Sequence, residues 1–191
     1  MISSNGKGIL IFTMKHSQTG FNLIELMVGV AILGFVAAFA LPQFTATIKD
    51  NRIRTVSSDV LADLAMARSQ AATLGTQVAV CTSSNGTSCA TSGNNWQVGR
   101  LIYVDANESG TLDAGDTVIR VRDSLSGTTT LSATGGGWAG PTYVIRYRPS
   151  GVPVNAIGNL DICDDRPGIT TGRRITLSAI GRASSATYTC P

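Results

Sequence analysis

Histidine is almost absent from this 191-residue chain, and most enzyme motifs are absent with it. The only histidine is His16, so histidine general-base catalysis and histidine metal ligation have little support. The sequence contains no Gly-x-Ser-x-Gly elbow, no phosphate-binding glycine loop and no Cys-x-x-Cys pair. Charged residues make up only 14% of the chain. We therefore expect a protein that is not an enzyme and that carries no cofactor.

Residues 1–20 are typical of a cleaved leader rather than of folded structure. They are few, carry Lys7 and Lys15, and end at Gly20 before a long apolar run. Met14 is an alternative start, because residues 14–20 alone would form a typical short basic leader. Lys15 beside the apolar run places this end in the cytoplasm by the positive-inside rule. We expect a single-pass inner-membrane protein with its C-terminal domain in the periplasm.

The run from Phe21 to Leu41 is long and apolar enough to cross a membrane, but it contains Glu25. As a helix its 21 residues rise about 31 Å, which matches a hydrocarbon core of about 30 Å. An ionised group there costs about 2.5 to 3.5 kcal/mol unless it finds a partner. The run contains no cation. Cleavage after Gly20 would give Phe21 an α-amino group that supplies the missing positive charge.

This pattern resembles the N-terminal signal and helix of type IV pilins and type II secretion pseudopilins. The residues that carry the resemblance are Gly20, Phe21, Glu25, Gly34 and Pro42. The resemblance implies cleavage by prepilin peptidase between Gly20 and Phe21, N-methylation of Phe21, and packing of the helix into a filament. The alternative is an ordinary signal anchor with a chance glutamate.

The rest of the chain predicts an amphipathic helix followed by short strands. Apolar residues recur at steps of three or four from Val56 to Leu74, before a stop signal at Gly75. Joined to the apolar run, they predict one helix from about Phe21 to Leu74, about 80 Å long and weakened at Gly34 and Pro42. The period then changes to two and predicts mostly antiparallel strands at residues 77–82, 96–105, 117–122, 128–133, 143–148, 160–163, 174–178 and 186–190.

The predicted fold class is α+β. A long N-terminal transmembrane and filament-core helix packs on a C-terminal antiparallel β-sheet or small β-sandwich, which the resemblance identifies as the pilin fold. The predicted organisation is a leader over residues 1–20, a helix over residues 21–75 with its membrane span over residues 21–41, and a periplasmic β domain over residues 76–191.

Four cysteines lie beyond the apolar run, where an oxidising periplasm permits disulfides. They are Cys81, Cys89, Cys163 and Cys190, and three pairings are possible. We prefer Cys81 with Cys89 and Cys163 with Cys190, because the first two are close in sequence and the last is next to the terminus. A metal site is the weaker alternative, since no Cys-x-x-Cys pair is present.

The segment from Asp105 to Asp116 has the spacing of a calcium-binding loop. Oxygen-bearing side chains occupy its positions one, three, five, nine and twelve, and glycine occupies position six; these candidate ligands are Asp105, Asn107, Ser109, Asp113 and Asp116. The predicted flanks are strands, however, where an EF-hand has helices. The alternative is a hairpin connection held by Asx turns, and the sequence leaves both open.

The C-terminal third resembles the closing strands of the GspH/FimT branch of the pilin family. The similar stretches are residues 143–151, 162–166, 172–178 and 181–182. In FimT-type minor pilins a Gly-Arg-x-Arg sequence near the end is implicated in binding DNA, but Ser184 stands here in place of the second arginine. A DNA-binding cluster would be formed by Arg166, Arg173, Arg174 and Arg182. Alternatively these arginines pair with nearby aspartates.

The sequence thus predicts a minor pilin or pseudopilin. We expect it to be processed by prepilin peptidase, held in the inner membrane, and assembled with other pilins or pseudopilins into the tip or priming complex of a type IV pilus or type II secretion pseudopilus. The alternative function is a DNA receptor in natural transformation. The helix and fold plan are common to both machines, so they do not separate pilus from secretion system.

Overall fold

The structure, a computed structural model, describes residue 20 and residues 22–135, 141–154 and 158–191, apart from the side chains of residues 40–42. Residues 1–19 of the expected leader and Phe21 therefore lie outside the described residues, as does the side chain of Pro42. The chain divides into two compact units, Met1–Gln43 and Phe44–Pro191.

Helix α1 spans Leu23–Leu74. It begins after Asn22, whose carbonyl oxygen accepts hydrogen bonds from the amides of Glu25 and Leu26. From Ile53 onward one face is buried at steps of three or four, as the sequence predicts. The helix ends at Gly75, which adopts a positive φ of 68° that glycine tolerates without steric cost.

Eight strands form two four-stranded antiparallel sheets. The first sheet has the order β3-β2-β1-β5 and the second the order β4-β6-β7-β8. The strand bounds are β1 Gln77–Thr82, β2 Arg100–Asp105, β3 Thr117–Arg122, β4 Thr130–Thr134, β5 Val144–Tyr147, β6 Gly158–Cys163, β7 Gly172–Leu177 and β8 Ala183–Tyr188. The predicted α+β class and antiparallel architecture are confirmed.

Two strand boundaries differ from the prediction by more than two residues. β2 begins at Arg100 rather than Trp96, because Gly99 adopts a φ of 119° and interrupts the extended run. Trp96 instead hydrogen-bonds Leu131 of β4, in the second sheet. β8 begins at Ala183 rather than residue 186, since Ala183 closes the hairpin by pairing with Leu177. The first residues of β8 are small and mostly polar, so the sequence shows no strand pattern there.

The core of the second unit has two layers. The main cluster joins the buried face of α1 to apolar residues of both sheets, with Trp96 and Tyr147 fully buried in it. A smaller cluster lies on the other face of the first sheet, around Leu101 and Tyr103. Leu112, from the β2–β3 connection, packs against this smaller cluster. Successive side chains of β1 and β2 point alternately into these two apolar layers. Both strands are therefore buried on both faces.

Disulfides join Cys81 to Cys89 and Cys163 to Cys190. This is the pairing that the sequence favoured. The second bond crosses over β7, because Cys163 ends β6 and Cys190 follows β8. It fastens the C-terminal end of the chain to β6, an interior strand of the second sheet.

Candidate functional site

The first half of α1 exposes an almost continuous apolar surface. Its large apolar side chains from Leu23 to Phe39 are 52–75% exposed. An 18-residue window of the helix has a mean hydropathy of 2.4, and none of that window is buried. By length and composition the segment could cross a membrane. A surface of this kind is expected to be covered by lipid or by other subunits.

Glu25 lies in the first turn of α1, on this apolar segment. Its side chain is exposed, and no other residue from Phe21 to Leu41 is charged. A carboxylate in the first helical turn is stabilised by the helix dipole, but in an apolar environment it also needs a counter-ion. Gly34 has open space around its Cα, so a neighbouring backbone could approach closely there.

A buried ion network in the second unit involves none of the residues that the sequence singled out. Asp63 of α1 is 1% exposed and receives hydrogen bonds from Arg100, Arg120 and Arg122. The shortest of these, from Arg100 Nη2 to Asp63 Oδ2, is 2.9 Å. Arg100 is itself 2% exposed. The network connects α1 to β2 and β3.

Arg166, expected to bind DNA, is held by two carboxylates. Its Nη2 lies 2.7 Å from Asp50 Oδ1 and 2.6 Å from Asp164 Oδ2. The hydrogen bond from Arg166 lowers the pKa of Asp50. Burial would raise the pKa of Asp164, but the hydrogen bonds and charge of Arg166 outweigh it and the pKa falls. The guanidinium therefore fastens the β6–β7 loop to α1, and both of its carboxylate partners belong to the protein itself.

Arg174 is also paired. Its Nε and Nη2 lie 2.6 and 2.7 Å from the two carboxylate oxygens of Asp161, and its guanidinium lies 4.0 Å from the ring centre of Tyr188. The hydrogen bonds that Arg174 donates to Asp161 raise the pKa of Arg174. This bidentate pair within the sheet satisfies the guanidinium.

Arg173 and Arg182 form no ion pair with the residues that the structure describes. Arg173 pairs across the β7–β8 ladder with Thr187, whereas Arg182 precedes the opposite end of that ladder at Ala183. Positions 182 and 187 are five residue steps apart along the chain, about 17 Å at about 3.4 Å per step in a strand. The four predicted arginines are therefore not brought together as one cluster.

The Asp105–Asp116 connection is closed by hydrogen bonds to its own backbone. Gly110 N donates to Asp105 Oδ2 at 2.9 Å, and Ala106 N donates to Asp116 Oδ1 at 3.0 Å. The side chain of Asn107 donates to Asp113 Oδ2. Across the described ranges, no group of three acidic, cysteine or histidine side chains could hold a metal ion as it stands.

Sequence comparison gives two family matches. A model of the prokaryotic N-terminal methylation motif matches residues 15–41, the region of Gly20, Phe21 and Glu25. A model of the type II transport protein GspH matches residues 57–181, which include most of the second unit. The two matches agree with the two resemblances found in the sequence.

Curated relatives match the chain only in part. One type IV major fimbrial protein FimA of Dichelobacter nodosus is 48% identical over 46 residues, which is 24% of this chain and 30% of that protein. A second FimA of the same organism is 61% identical over 31 residues. The chain thus spans less than a third of the length of these relatives.

Solved structures match the fold. A crystal structure of the type IV minor pilin FimU of Pseudomonas aeruginosa gives a TM-score of 0.53 at 18% identity, over 72% of this chain and 99% of that one. A second crystal form gives 0.53 at 19% identity. At this identity the match concerns the fold alone, which is that of pilin structural subunits. With the GspH model matching well over half of its residues, the chain belongs to the GspH family of type IV pilin-like proteins.

Proposed function

We propose that this protein is a minor pilin or pseudopilin that is cleaved between Gly20 and Phe21, N-methylated at Phe21 and assembled through Glu25. The observation that carries the proposal is the exposed apolar segment of α1 with one carboxylate in it. The segment has the composition of a membrane span, which supports insertion before assembly. The methylation-motif match over residues 15–41 supports processing at its start.

Glu25 has the role of electrostatic partner in this proposal. After cleavage, Phe21 of one subunit carries an ammonium group, and Glu25 of a neighbour accepts it within the apolar filament core. Each group neutralises the other, which removes the cost of two isolated charges in a medium of low dielectric. The same contact fixes the axial position of each subunit. Gly34 and Pro42 then shape the packing of the helices.

We place the subunit in the tip or priming complex. The match to the GspH family model supports a pilin-like subunit, and the exposed α1 segment supplies a surface for other pilins or pseudopilins. The proposal predicts that each filament contains few copies of this subunit and that they lie at the filament ends. Immunogold labelling measures both.

The variant Glu25→Ala tests the assembly step. We expect the processed chain to accumulate in the membrane fraction with both disulfides formed, and to be missing from purified filaments. Filament incorporation measured by immunoblotting distinguishes these outcomes. The matched control is Asp59→Ala, which removes a carboxylate from the same helix outside the apolar run and should assemble normally. Normal incorporation of Glu25→Ala would show that this charge is not required.

A DNA-receptor role stays a prediction from the sequence, and we do not include it in the proposal. Arg166 and Arg174 are engaged by aspartates, and Arg173 and Arg182 lie toward opposite ends of one hairpin. A phosphate backbone would therefore meet two separated cations rather than a cluster.

A further inference from the structure

The β2–β3 connection contains a feature that pilin assembly does not explain. Asp105 is a fully buried carboxylate at the first position of the calcium-like spacing. Its Oδ2 accepts a hydrogen bond from Gly110 N, so the carboxylate faces into the loop. Its Oδ1 is buried and has no hydrogen-bond partner among the described residues. An unpartnered buried carboxylate oxygen is costly, and a bound cation would satisfy it.

The charges around Asp105 also favour a cation. The loop from residue 106 to residue 116 contains Glu108, Asp113 and Asp116 but no lysine or arginine. The guanidinium of Arg146, on β5, lies beside Gly110. Asp105 and the three acidic side chains of the loop therefore carry more negative charge than this neighbouring cation offsets.

The other oxygen-bearing side chains of the spacing bond to one another and to the loop backbone. Asn107, Ser109 and Asp113 are exposed, and Asp113 accepts hydrogen bonds from the other two and from a backbone amide. Gly110, at the sixth position, has a φ of 78°, which allows the sharp turn that a twelve-residue calcium loop makes there. To bind a cation, Asp113 and Asp116 would turn toward Asp105 and exchange their present hydrogen bonds from backbone amides for contacts with the ion.

We propose that the β2–β3 connection binds one Ca²⁺ ion through oxygens of Asp105, Asn107, Ser109, Asp113 and Asp116. Calcium accepts six to eight oxygen ligands in flexible geometry, whereas magnesium requires near-ideal octahedral geometry at shorter distances. Asp116 replaces the longer bidentate glutamate, so we expect an affinity in the range of extracellular calcium modules, about 10⁻⁴ to 10⁻³ M. Binding would hold the connection, and with it Leu112, against the outer face of the first sheet.

The test is calorimetric titration of the full chain, purified in detergent, with CaCl₂ and separately with MgCl₂. We expect one calcium site, weaker binding of magnesium, and a rise of a few degrees in the unfolding temperature with saturating calcium. The variant Asp116→Asn should weaken calcium binding at least about tenfold, because a neutral amide replaces a charged ligand. Circular dichroism checks that this substitution of a partly buried residue leaves the fold intact.

The matched control is Glu108→Gln, which removes the same charge from the same loop at a position outside the ligand set. It should bind calcium within about twofold of the unchanged protein, since the charge is screened by solvent. An equal loss in both variants would mean that the loop only attracts cations by its charge, and would overturn the proposal. So would the absence of binding up to about 10 mM calcium, ten times the weakest expected dissociation constant.

Discussion

At the scale of single residues, Asp63 is the clearest structural determinant that the sequence did not reveal. The apolar steps along α1 predict that its polar residues, Asp63 among them, lie on the solvent side of the helix. In the fold Asp63 is almost fully buried and receives three guanidinium groups. Those arginines lie 37 to 59 positions away in sequence. Periodicity within one element carries no information about such partners.

The buried Asp63 predicts a large stability loss on neutralisation. Asp63→Asn leaves Arg100 buried without its carboxylate, so the free energy of unfolding should fall by about 3 kcal/mol, the lower end for a broken buried pair. The lower end applies because Arg120 and Arg122 are about one-third exposed and can turn toward water. Urea unfolding of a fragment of residues 44–191, which contains both core clusters, measures the loss.

Asp59→Asn is the control for this measurement. Asp59 lies one turn away on the same helix, is half exposed, and contacts Arg122 only at 3.8 Å. We expect a change below about 1 kcal/mol, as for other exposed pairs. Equal effects of the two substitutions would mean that burial of the ion network does not increase the free energy of unfolding.

At the scale of elements, the Cys163–Cys190 bond depends on a glycine in the strand that it crosses. A Cβ atom at Gly172 would clash with Cys190 Sγ and lie 2.7 Å from the carbonyl oxygen of Tyr188. Gly172 has no unusual φ, so backbone conformation does not explain the glycine. The absence of a side chain leaves room for the disulfide to pass over β7.

Gly172→Ala should therefore destabilise the C-terminal hairpin. We expect a loss of about 1 to 3 kcal/mol, typical of overpacking in a filled core, with earlier reduction of the Cys163–Cys190 bond by dithiothreitol. Gly115→Ala is the matched control, because its nearest neighbour, Asp113 Oδ1, is 3.7 Å away. A Gly172→Ala protein as stable as that control would mean that the end of β7 moves aside without cost.

The same scale explains which elements could be predicted. β1 and β3 have the bounds that the period of two predicted, because turn residues flank both strands. The predicted start of β2 was wrong, because the positive φ of Gly99 and the hydrogen bond from Trp96 to Leu131 depend on the tertiary fold. The sequence shows that several arginines lie near the C-terminus. It does not show that Asp50, which lies far away in sequence on α1, pairs with Arg166.

At the scale of the whole molecule, the two units differ in what their apolar residues contact. In Phe44–Pro191 they pack on one another and form closed cores. In the described part of Met1–Gln43 they lie exposed along α1. The family assignment could be reached from the sequence because the motifs of both units are local in the chain. The ion pairs that fasten α1 to the second sheet are long-range, and only the fold reveals them.

Those ion pairs predict how stability depends on pH. Arg166 lowers the pKa values of Asp50 and Asp164, and hydrogen bonding by Lys49 lowers that of Asp165. Each of these carboxyl groups therefore has a lower pKa in the folded chain than the ordinary aspartate value of 3.8. The stability that these pairs contribute is fully present above about pH 5 and is lost as the pH falls through the lowered folded values.

The variant Arg166→Ala isolates this contribution in the 44–191 fragment. At pH 7 it should be less stable than the unchanged fragment in urea unfolding, and the difference should shrink as the pH falls below about 4, where Asp50 and Asp164 become protonated. Asp105, whose pKa burial raises, contributes the opposite slope in both proteins and cancels in the difference. Arg148→Ala, in an exposed turn, is the control and should give a difference independent of pH. A constant difference for Arg166→Ala would instead assign its effect to packing, because a charge pair must weaken when its carboxylates are neutralised.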